Sequence, residues 1–267
     1  MFPVFLLNCR LKTELMKKVF LLSISAFFYF GLFAQQGKTS NLPVKGNAYL
    51  KVFYQALASG DVNTAIVSMN YYINEQGNNN PYTDTLAMLY MQQGAYSQCY
   101  YWAEKRLQVK PEDNGLLEMK GICLDKLQQP KEAINIFEKL YSKTQSPFHA
   151  YKLMELQYGI KRLAECVATA NSAEKLQYKP DYVMSYNIGD QVGRTYLQAG
   201  VFNIHALALY DLDKKAEAKA YFEKAVALDS NFVLARQNLE AMRKIESGAN
   251  NLNNNNLPSV NPANKQH

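Results

Sequence analysis

The chain has 267 residues, 48% of them hydrophobic and 12% aromatic, and a formal net charge of +6. That apolar content is enough for a sizeable core and excludes a wholly disordered chain. Arg10, Lys12, Lys17 and Lys18 against Glu14 supply half of the excess charge. The remaining 25 basic and 22 acidic residues are too evenly interspersed to argue for nucleic acid.

Met16-Lys17-Lys18 is followed by an apolar run from Val19 to Phe33, closing on Ala34 before Gln35-Gln36. A short positive segment, an apolar stretch and a small residue at its end describe a secretory signal peptide. The run falls short of the ~20 residues a membrane-spanning helix needs. The expectation is export to the periplasm or envelope, with translation starting at Met16, cleavage after Ala34 and no membrane span afterwards. The rival readings are an uncleaved anchor and a lipoprotein. A lipoprotein needs a Cys directly after the run, and Cys9 lies upstream of it. Residues 1–34 are thus an upstream extension and signal, and residues 35–46 a linker.

From Asn47 to Leu140 three segments share one spacing. Gly60 and Gly94 set the interval, and Gln128 takes the next place at the same distance. Five residues after each come Ala65, Cys99 and Ala133. In the first unit Leu50, Phe53, Ala56 and Leu57 follow helical spacing. Ser59-Gly60-Asp61 then breaks the helix and offers a cap for the next one, which carries Ile66, Met69 and Ile73. The second unit repeats this around Leu86, Ala87 and Tyr90, then Ala103 and Pro111. The third does so with Leu117, Gly121 and Leu124, then Phe137. Small residues at fixed places let two antiparallel helices approach closely. A helix pair alone does not bury its apolar face, so stacked neighbours must supply the core.

The set Leu86-Ala87, Tyr90, Gly94, Cys99, Ala103, Pro111 resembles the tetratricopeptide repeat, and the interval between successive turns matches that family's period. The C-terminal run Ala206, Leu209, Asp213, Ala218, Phe222, Ala225 resembles it too, with Asp213 in place of the turn glycine. The resemblance spans roughly residues 47–245. It implies an all-α, right-handed superhelical solenoid of about five antiparallel helix pairs, with the array over 47–247.

The middle is less regular. Ser146-Pro147 opens a helix, and Gly159 and Ala164 keep the five-residue spacing, but Gly159 follows Gln128 too soon for the common interval. Lys152 and Glu155 fall in slots expected to be apolar. The distance from Ala164 to Ala218 exceeds one repeat, and the excess is assigned to Pro180–Gly200, read as an elongated or additional helix. Phe232–Ile245 reads as a capping helix. The Asn-rich stretch 248–267 has too few apolar residues to offset ordering entropy and is expected to be disordered.

No catalytic set, phosphate loop or metal-ligand spacing stands out, and no cofactor is implied. Cys99, Cys123 and Cys166 are an odd count for a disulfide framework and read as packing residues, with a Cys99–Cys123 bridge left open. Tyr96, Tyr100, Tyr101 and Trp102 could form a stacking platform, although neighbouring residues on one helix point to different faces. The family resemblance implies a protein or peptide partner held on the concave surface lined by first helices. In register these slots hold Leu50 and Tyr54; Asp84, Met88 and Met91; Glu118, Ile122 and Asp125; His149 and Leu153; and Leu207 and Tyr210. Their apolar and acidic mix would suit an amphipathic or basic segment and disfavours a carboxylate clamp. A non-catalytic exported scaffold is therefore expected. The alternatives are an accessory part of an envelope or secretion assembly, and an enzyme using 147–200, for which His149, Glu155 and Asp190 would have to converge.

Overall fold

The computed structural model describes residues 47–77 and 80–254, with side chains through Ile245. The signal, the linker and the last part of the tail lie outside the described residues. Ten helices form five antiparallel pairs. They are α1 (Ala48–Ala58) with α2 (Val62–Gln76), α3 (Tyr82–Gln92) with α4 (Tyr96–Leu107), and α5 (Asn114–Lys126) with α6 (Pro130–Thr144). The last two are α7 (Pro147–Gly159) with α8 (Leu163–Ala173), and α9 (Leu197–Asp211) with α10 (Lys215–Leu228). The final helix, α11 (Val233–Asn254), packs against α10 and runs on past Gly248, where the sequence reading begins its disordered tail.

Local chemistry explains where the helices start. Asn47, Asp61 and Asp113 each cap a helix, the side-chain oxygen accepting from a backbone N–H two or three residues on. Pro130 and Pro147 open α6 and α7 at positions where no N–H is needed.

The turn inside each pair is the same object five times. Gly60, Gly94, Gln128, Lys161 and Asp213 all adopt a left-handed backbone, with φ between 61° and 75°. The next residue's N–H bonds the carbonyl five residues back, at 2.8 to 2.9 Å in every case. The small residue five positions after the turn is fully buried each time: Ala65, Cys99, Ala133, Cys166 and Ala218. This corrects the fourth repeat. Gly159 is the last residue of α7, and Lys161 makes the turn, so the register slips by one residue rather than three. At Gly121 a Cβ would lie 2.8 Å from Phe137 Cε2, which is why the third pair packs so closely.

The stretch read as an extra helix is a β-hairpin. Strands β1 (Val183–Ile188) and β2 (Gln191–Tyr196) pair antiparallel around the two-residue loop Gly189-Asp190, with Gly189 at φ 58°. Gly at the first loop position matches a tight hairpin turn, and alternating side chains flank it. The solenoid is not interrupted, because α9 packs directly on both α7 and α8. Tyr186 fixes the hairpin in place. Its ring covers Gly193 on the opposite strand and meets Phe232 edge-on at 4.8 Å. Its hydroxyl donates to the Asn231 carbonyl at 3.4 Å and accepts from the Val233 N–H at 3.1 Å, satisfying a donor in the first turn of α11. Met184 occupies the notch above Gly200 in α9.

Candidate partner-binding face

Corrected register assigns the first-helix slots. In the first three repeats they remain those named from sequence; in the fourth they move from His149 and Leu153 to Tyr151, Glu155 and Tyr158. His149 and Leu153 are buried at 6% and 3% exposure and serve packing. Thr144 Oγ1 lies 2.8 Å from the Leu140 carbonyl and 2.7 Å from His149 Nδ1. His149 Nε2 then meets Glu118 Oε2 at 3.1 Å.

The acidic character expected of this face is largely neutralised. Asp84 pairs with Arg106 Nε at 2.6 Å and Lys110 Nζ at 3.4 Å, tying α3 to α4. Glu118 is engaged by His149. Burial pushes the Asp125 carboxyl up; nearby Lys152 and Lys126 pull it back down, while Glu155 adds to the rise. A basic partner would find few free carboxylates. Sequence reasoning missed this because the side chains that engage Asp84 and Glu118 come from other helices, far along the chain.

What remains open is apolar. Tyr54 and Met88 are each 44% exposed, and the Tyr54 hydroxyl lies 3.1 Å from that of Tyr82. Leu50 and Ile122 are half-buried against the core. Met91 is buried with Cys99 and Cys123 and is not available. Leu207 and Tyr210 are half-buried beside the last core cluster. The aromatic set of α4 forms no platform: Trp102 is buried, Tyr101 stands edge-on to it under Lys105, and Tyr96 and Tyr100 pack against two other clusters.

At the fourth and fifth repeats the face becomes a cavity of about 220 Å³. Its floor is first-helix surface: Tyr151, Lys152 and Glu155 from α7, with Gly200, Asn203 and Ile204 from α9. Four consecutive hairpin residues, Met184 to Asn187, wall one side, and Lys126 of α5 stands at the other end. Lys152, 6% exposed, pairs with Glu155 Oε2 at 2.6 Å. Burial alone would push its ammonium down; Glu155, Asp125 and Glu118 outweigh that and hold it above the ordinary lysine value. The two polar residues that broke the apolar pattern are thus one ion pair on the floor. Asn203 accepts from Asn238 of α11 at 3.0 Å, closing the far end.

The cavity takes in Glu155 but neither His149 nor Asp190, which sits at the exposed hairpin tip. The three residues an enzyme reading needs are therefore not one constellation. Among the described residues no group of three His, Cys, Asp or Glu could hold a metal, and no helix is long and apolar enough to cross a membrane. Cys99, Cys123 and Cys166 are buried free thiols. A hydrogen bond with Cys99 holds the Cys123 thiol well above its usual range, and burial pushes Cys166 up to about 12.

The tetratricopeptide repeat family model matches residues 199–232, the fifth pair and the turn after it. No curated protein matches the chain. Among solved structures, MamA is similar at 16% identity and a TM-score of 0.56, over 68% of this chain and 90% of MamA. YrrB, described as a TPR protein with an unusual peptide-binding site, is similar at 14% identity and a TM-score of 0.56, over 72% and 90%. MamA from Desulfovibrio magneticus RS-1, from position 41 to its end, gives 15% and 0.55, over 69% and 94%. Five pairs sharing one turn and these likenesses give the chain the tetratricopeptide-repeat fold, and its fifth pair matches the repeat itself.

Proposed function

We propose that the chain is an exported, non-catalytic scaffold that holds a segment of a partner protein on its first-helix face. The observation that carries this is the open apolar surface of the first repeats, Tyr54 and Met88, with the cavity below the hairpin on first helices of the later ones. Binding of a peptide, as described for YrrB, is the mode this surface fits. With Asp84, Glu118 and Glu155 engaged within the chain, the segment is apolar rather than basic. The Met16-Lys17-Lys18 start and the run to Ala34 support export.

Crosslinking the mature protein in its native envelope should capture one reproducible partner. Tyr54→Ala or Met88→Ala should cut its affinity about tenfold, the usual effect of truncating an aromatic or other anchor at an interface. No partner, or one indifferent to both changes, refutes the reading.

A further inference from the structure

The hairpin has an open edge, and it borders the cavity. Strand pairs alternate outward from the loop, beginning with the hydrogen-bonded pair Ile188 and Gln191. The same parity reappears beyond the strands, where the Leu197 N–H bonds the Tyr182 carbonyl at 2.8 Å. Met184 and Tyr186 therefore spend their backbone groups on β2. Val183, Ser185 and Asn187 point theirs away from it.

Met184 and Tyr186 face α9 and α11, while Ser185 and Asn187 lie on the opposite face of the strand. All four border the cavity, which places it along the β1 edge rather than over either face. The outward N–H and C=O of Ser185 and Asn187 thus line a slot opposite α7. At about 220 Å³ the slot is below the ~300–1,000 Å³ of drug-sized ligand pockets, and a row of alternating donors and acceptors is complementary to another extended backbone. Charge sets the chemistry further. Lys152 and Glu155 satisfy each other, whereas Lys126 makes no hydrogen bond or ion pair among the described residues and faces the same slot.

We propose that β1 accepts an extended partner segment as a third strand through Ser185 and Asn187, with an acidic side chain of that segment paired to Lys126. This rests on the peptide-binding reading above and adds to it a site, a backbone conformation and a charge.

The test uses a displayed library of capped random heptapeptides selected on the full mature chain. Selected peptides should carry a central Asp or Glu. Ser185→Pro removes only an outward N–H, on a sheet edge where proline is tolerated, and should weaken them about tenfold. Ser185→Ala should bind normally, since the contact is to backbone. Lys126→Glu should weaken acidic peptides by a similar factor and select basic ones. Methylating alternate peptide amides should abolish binding without touching the protein, so the test survives even if Ser185→Pro disturbs the hairpin. Peptides that tolerate amide methylation and Ser185→Pro but need Tyr54 and Met88 overturn strand addition and leave the scaffold reading standing. No enriched peptide overturns both.

Discussion

Replacing Tyr186 with Phe should loosen the hairpin while leaving the helical stack intact. The substitution keeps the ring over Gly193 and against Phe232, and deletes only the hydroxyl. That hydroxyl receives the Val233 N–H at 3.1 Å and reaches the Asn231 carbonyl at 3.4 Å. The second contact is long and weak, so the first dominates. Losing it strands a donor in the first turn of α11 in a partly covered position. A hydrogen bond contributes about 0.5–1.5 kcal/mol and a stranded buried group costs about 1–3 kcal/mol, so a loss of roughly 1–2 kcal/mol is expected. Tyr186→Ala removes the ring as well, for about 3–5 kcal/mol. The assay is urea denaturation combined with amide exchange resolved by segment. Exchange of the β1–β2 ladder and the start of α11 should rise by about tenfold or more in the Phe variant, with α1 to α6 unchanged. Equal stability and unchanged hairpin exchange in that variant would refute the idea that this hydroxyl anchors the hairpin.

Two further outcomes follow from other residues. Burial pushes the His205 imidazole below its ordinary value, against the pull of Glu174, with which its Nδ1 makes a 2.7 Å contact. The unfolded chain therefore takes up a proton more readily than the native one, and stability should fall as pH drops through and below about 6.5. Melting temperature between pH 8 and 5.5 reads this, and His205→Gln should flatten the dependence; a slope unchanged by that substitution would assign it elsewhere. At the third turn Gln128 holds φ 62°, a conformation costing a side chain about 1–2 kcal/mol that glycine avoids at an entropic cost of about 0.5–1 kcal/mol. Gln128→Gly should raise the urea midpoint by the equivalent of up to about 1 kcal/mol, and a loss of stability would contradict the left-handed turn.

The first three turns are legible in the sequence because two carry glycine and all three keep one spacing. The fourth is misplaced there because its left-handed residue is Lys161, while Gly159, two residues earlier at the end of α7, offers a more familiar signal. Conformation at that place is imposed by the carbonyl five residues back and by the close approach of α7 and α8, which any side chain can share in at some strain. The hairpin leaves a readable trace: Val183 to Ile188 alternate around Gly189-Asp190, and weighing that period against the helical one would have found it. The cavity is not legible, since it needs α5, α7, α9 and the hairpin brought together. Nor is the neutralised charge, because an ion pair such as Asp84 with Arg106 depends on how two helices cross.

In a stack where each pair touches only its neighbours, the ends are the first places to fray. Here the hairpin departs after α8, yet its Tyr186 bonds Asn231 and Val233, on the far side of the whole fifth pair. A loop so closed couples the opening of the hairpin and the beginning of α11 to the fifth pair they enclose. The terminal repeat of this array is therefore strapped by a segment that belongs to its middle, and whatever occupies the slot beside β1 would tighten the same strap.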